Sequence, residues 1–122
     1  MLRAITLGVC VLAGLRGQST NTAIGGRITD PSKALIAAAR VAAISAGTNL
    51  HYEVLSNASG EYHLSNLPPG TYRIEVDKPG FKRLVKTDVA LHVQDALTID
   101  FELQVGPVSE TITVQDARAT SN

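Results

Sequence analysis

The stretch NLPPGTYRIEVDKPGF, residues 66–81, decides the fold. Between its two Pro-Gly corners the residues alternate. Tyr72, Ile74 and Val76 fall on one face and Arg73, Glu75 and Asp77 on the other. That is the period of a strand with one side on a core and one side in water. Proline presets φ and glycine accepts positive φ, so each corner turns the chain tightly. A strand with a corner at both ends reads as the central strand of a small β-sandwich.

Outward from it, LTIDFELQV repeats the alternation, with Leu97, Ile99, Phe101, Leu103 and Val105 on one side and Thr98, Asp100, Glu102 and Gln104 on the other. Further strands are expected at residues 24–30, 41–45, 51–55, 61–64, 81–87, 89–93 and 108–114. DPSKA, SAGTN, SNASGE, NLPPG and DKPGF separate them with turn-forming residues. Short strands at such spacing argue for an antiparallel sandwich. One segment dissents: ALIAAARVAAISA, residues 34–46, is rich in alanine, the best helix former. Its apolar residues make no single helical stripe, and β-branched Val41 and Ile44 favour a strand, so a loop followed by a strand is expected.

The bulk composition narrows the functions. Eleven basic side chains balance 11 acidic ones, which leaves no net field to draw nucleic acid or an anionic membrane surface. Trp is absent and aromatics are 4%, so stacking platforms for bases or sugar rings are scarce. A hydrophobic content of 44% belongs to a folded chain and points to one domain.

Residues 1–19 read as a secretory signal peptide. Arg3 gives a positive start, residues 4–15 are uncharged and apolar, and small or polar residues follow, with a cut between Gly17 and Thr20. The apolar run falls short of the ~20 residues a spanning helix needs, and an uncleaved anchor is the alternative. Cys10, the only cysteine, lies in that run, so the mature domain carries no disulfide. The bulky Val9 before it argues against lipidation. An exported domain is expected at 20–116 and a flexible tail at 117–122. Export without disulfides suits a bacterial envelope: periplasm, outer-membrane surface or exterior.

The run Gly60, Tyr62, Leu67, Pro69, Gly70, Tyr72, Ile74, Val76, Gly80 and Phe81 resembles the signature of carboxypeptidase regulatory-like domains. The resemblance extends to GGRITDPSKALI upstream and LQVGPVSETITV downstream. It implies a seven-stranded antiparallel Greek-key sandwich, similar to transthyretin, without catalytic residues or cofactors of its own. Such domains stand beside metallocarboxypeptidases, in bacterial surface proteins and at the N-terminus of TonB-dependent outer-membrane receptors. Lys33 stands where the family often has Gly, and Ala37 and Ala38 where a Pro-Gly pair is common. Some related repeats carry a Lys-to-Asn isopeptide bond, but AIGGRITD offers only Arg27 and no such crosslink is expected.

Candidate chemistry is sparse. His51, His63 and His92 lack metal-ligand spacing, although His51 and His63 could meet across an expected hairpin. No serine sits in a G-x-S-x-G elbow. The carboxylates alternate with apolar residues, as a solvated sheet face requires. Asn57 begins an NAS sequon, and it also suits a turn. The reading is therefore a monomeric, noncatalytic accessory or interaction module of the cell envelope, resembling the N-terminal extension of a TonB-dependent receptor. A carbohydrate-binding module and a separately encoded regulatory domain of a metallocarboxypeptidase are the alternatives. A protein or glycan partner is expected at the loops SNASG and DKPGF, with Asn57, Lys78 and Lys82 as contacts, while residues 108–114 form a guarded edge strand. Nothing in the chain is expected to form a transport barrel.

Overall fold

The computed structural model describes residues 22–115. The signal peptide read at 1–19 and the tail read at 117–122 lie outside them. Among the described residues there are nine strands and no helix: β1 (Ala23–Thr29), β2 (Arg40–Ser45), β3 (His51–Leu55), β4 (Glu61–Ser65), β5 (Gly70–Asp77), β6 (Arg83–Leu91), β7 (Ala96–Thr98), β8 (Phe101–Glu102) and β9 (Thr111–Gln115). They form a five-stranded sheet, in the order β3-β2-β5-β6-β9, and a four-stranded one, β4-β1-β7 with β8 also on β1.

β5 is central, as its two corners require. Its inward Tyr72, Ile74 and Val76 meet Ile24 and Ile28 of β1, Tyr62 and Leu64 of β4, Val89 and Leu91 of β6, and Phe101 in one core. The alanine-rich segment resolves as read: loop, then strand. Val41 to Ile44 are all buried, because β2 lies between β3 and β5. Alanine's intrinsic helix preference, well under 1 kcal/mol per residue, yields to that tertiary burial.

Several expectations need correction. The seven strands become nine, and the sheets are mixed, because β1 pairs in parallel with β7 and β8, and β6 with β9. The strands expected at 81–87 and 89–93 are one strand, β6, broken by a bulge. Tyr72 pairs Val89 and Ile74 pairs Lys86, so Thr87 and Asp88 together oppose Arg73. The extra residue, at Asp88 with φ 59°, resets the alternation and turns Val89 and Leu91 inward.

The run LTIDFELQV, conversely, is two strands. Its register on β1 is unbroken, with Gly25 opposite Thr98 and Ile28 opposite Phe101, but the ladder lapses between them. There the Arg27 N–H donates to the Asp100 carboxylate at 2.9 Å, and the Ile99 carbonyl accepts the Tyr62 hydroxyl at 2.5 Å. Gly26 makes room, since a Cβ on it would lie 2.0 Å from that carbonyl oxygen. Val105, expected inside, is exposed beyond the end of β8.

The turn at SNASG is not a hairpin. β3 and β4 belong to different sheets, and residues 56–60 carry the chain from one to the other. Ser56 anchors this arch from within: its buried hydroxyl donates to the Ile36 carbonyl and accepts the Ala39 N–H.

Candidate functional site

Four connections gather at one end of the sandwich: residues 30–39, 56–60, 78–82 and 103–110. The register brings them there, with Arg40 paired to both Leu55 and Asp77, Val76 to Leu84, and Arg83 to Thr111. Gly60 accepts the Ile28 N–H, and Gln104 accepts that of Lys82, which joins the two sheets' loops. The loops SNASG and DKPGF therefore share one pole.

Each expected contact residue has a definite place there. Asn57 Oδ1 accepts the N–H groups of Ser59 and Glu61, both at 2.9 Å, so that oxygen is spent on the arch. The Lys82 ammonium lies 3.2 Å from Glu110, and its methylenes cover Gly106, where a Cβ would come within 2.7 Å of Cε. Lys78 forms no ion pair among the described residues and is half-buried at the second corner. Beside it runs an ion-pair chain: Arg40 meets Glu53 at 2.9 Å and Asp77 at 3.1 Å, and Arg83 meets the same Asp77 oxygen at 3.2 Å. Partial burial disfavours the Arg40 charge, but the hydrogen bond to Glu53 and the Asp77 carboxylate outweigh it, so its pKa is raised.

The signature residues are built into the frame. The Tyr62 hydroxyl reaches the loop carbonyl of Ile99, and the Tyr72 hydroxyl donates to that of Pro68. Burial, with a smaller push from Asp100, holds the Tyr62 phenol far above its ordinary pKa. Leu67 is fully buried, and Phe81 packs at the core's margin. Gly60, Gly70 and Gly80 all have positive φ, at 73°, 154° and 93°.

The histidines do not converge. His51 pairs Ile44 in one sheet and His63 pairs Gly25 in the other, so they are not neighbours across a hairpin. His92 lies 3.3 Å from Asp95. No group of three or more His, Cys, Asp or Glu among the described residues could hold a metal ion.

One surface went unread in the sequence: an open groove of about 790 Å³ whose lining includes Gly25, Arg27, Glu61, His63, Thr98 and Asp100. Its far wall is Val54 and Leu55 of β3. The signal available was the pair Gly25-Gly26 inside a strand, where glycine marks a close approach or a bare patch.

Comparison with known proteins follows this architecture. The TonB-dependent transporter Oar of Myxococcus xanthus is 29% identical over 118 residues, which cover 93% of this chain and 11% of that protein. The chain thus spans about a tenth of that curated relative. The TIE protein of Bacillus anthracis superposes with a TM-score of 0.59 at 16% identity, over 70% of this chain and 17% of that one. Catechol 1,2-dioxygenase of Acinetobacter radioresistens gives 0.56 at 15% identity, over 84% and 60%. At such identities the likeness is one of fold alone, and a fold shared with an enzyme does not decide function. The family model of the carboxypeptidase regulatory-like domain matches residues 23–104, which hold β1 to β8 and the buried core, and the chain belongs to that family.

Proposed function

We propose that this chain is a noncatalytic accessory module of the cell envelope, of the kind that extends a TonB-dependent receptor at its N-terminus. The alignment with the transporter carries the reading, because nearly all of this chain matches a small part of a much larger envelope protein. The noncatalytic reading draws support from how the polar side chains are used. Asp30, Asn57, Asp77 and Asp100 serve turns, ion pairs and backbone N–H groups. The module is exported, acts as a monomer and works by holding a partner protein or glycan against its loop pole.

The test is fractionation of the source bacterium, with a photo-crosslinking amino acid at Lys78. The expected result is recovery with the envelope and a crosslinked envelope component. Recovery in the cytoplasm alone overturns the reading. Binding to a glycan array that is lost on changing Tyr52 or Asn57 replaces it with the carbohydrate-binding reading.

A further inference from the structure

The outer edge of the five-stranded sheet is β3, and its hydrogen-bonding phase is fixed by neighbouring contacts. Ser45 donates to the Leu50 carbonyl and Ser56 to that of Ala39, while Ala46 donates to Thr71. Odd residues of β2 therefore face β3, and even residues face β5. Counting along the β2–β3 register, Tyr52 and Val54 spend their backbone groups on Ala43 and Val41. His51, Glu53 and Leu55 direct their N–H and C=O groups away from the sheet.

The same counting applies to β4, where Ile28 donates to Gly60 and Asn66 to Thr22, so Glu61, His63 and Ser65 face outward. That edge is plugged at Glu61, the end nearest the loop pole. Asn57 donates its N–H to the Glu61 carbonyl and accepts the Glu61 N–H on its side chain. β7 is three residues long before its ladder lapses. β3 carries none of the usual guards against strand pairing: no Lys, no Pro and no bulge. Its one acid, Glu53, is engaged by Arg40 at 2.9 Å.

We propose that the free edge of β3 is a strand-addition site, which takes an extended segment of a partner protein with apolar side chains at alternate positions. This rests on reading the chain as an interaction module. The open backbone groups recur every second residue, about 6.7 Å apart, a spacing only another extended backbone matches along its length. Residues of the added strand opposite Tyr52 and Val54 would point to the core side, where both are only half-buried. There Val54 and Tyr62 of the groove lining would receive them. Leu50 and Leu55, 55% and 64% exposed, bracket the strand and leave apolar surface at each end.

The probe is a capped nonapeptide alternating valine with threonine, titrated into the full ¹⁵N-labelled chain while amide hydrogen exchange is followed. Saturation should slow exchange at His51, Glu53 and Leu55 at least about tenfold, since these amides pass from solvent into a ladder. The same peptide N-methylated at alternate amides should give no slowing. His51→Pro removes one outward donor at the first residue of an edge strand, which tolerates proline, and should weaken binding about fivefold. Equal protection by the methylated peptide overturns the proposal, as does protection confined to another strand. Slowing that depends on protein concentration without peptide also overturns it and assigns the edge to a second copy of the chain. None of these failures touches the envelope reading, which fractionation tests by itself.

Discussion

Ala38 sits at φ 59° and Lys33 at φ 73°, in the left-handed region that side chains avoid at about 1–2 kcal/mol. These are the connection where the family favours glycine, so the departures read from sequence have a backbone cost. Ala38→Gly keeps the bond from its N–H to the Ser56 carbonyl and should stabilise the fold by about 0.5–1 kcal/mol in urea denaturation. Lys33→Gly should gain less, because it also gives up the exposed pair with Glu102. Adjacent glycines in β1 should differ sharply. Gly26→Ala drives a Cβ into the Ile99 carbonyl and should cost about 3 kcal/mol, whereas Gly25→Ala meets its nearest atoms at 3.3 and 3.4 Å and should stay within about 1 kcal/mol of wild type. Sequence alone displays the two glycines as equivalent. Only the path of residues 99 and 100 across β1 separates them.

At the scale of an element, the lapse between β7 and β8 is held by side chains in place of ladder bonds. Tyr62→Phe keeps the ring packed against Phe101 but strands the Ile99 carbonyl, and should cost about 1–3 kcal/mol in the same denaturation measurement. The first connection depends on a carboxylate. Asp30 accepts the N–H groups of Ser32 and Ala34 and the Ser32 hydroxyl. These bonds, the Ser32 hydroxyl foremost, hold its pKa below the ordinary aspartate value. The stabilisation is therefore complete above that ordinary value and is lost as pH falls through the lower, folded one. Protection of the Ser32 and Ala34 amides against hydrogen exchange, taken relative to their intrinsic rates, should fall in that acid window. Period-two alternation made β5 legible, because nothing interrupts it. It split β6 wrongly, since one extra residue at Asp88 inverts the phase, and it fused β7 with β8, since the register there never slips. The candidate site was legible only as turn-rich loops: Asn57 and Lys82 prove to be clasps of the frame, and the free edge of β3 follows from hydrogen-bond phase, which no side-chain pattern encodes.

For the whole molecule, burial of Tyr72 and Phe101 at the centre of a single core predicts that either ring replaced by alanine costs about 3–5 kcal/mol in one cooperative transition. A near-neutral result at either position would contradict the shared core. The parallel pairing of β9 with β6 has a mechanical consequence. β9 runs from the loop pole alongside Arg83 toward the opposite end, where Ala23 at the head of β1 bonds to Asp95. Tension entering at Ala23 and leaving past Gln115 would cross only that far end, and would peel the two strands one bond at a time, without shearing whole ladders together. Such a load would reach the far end of the sandwich first, and the loop pole last.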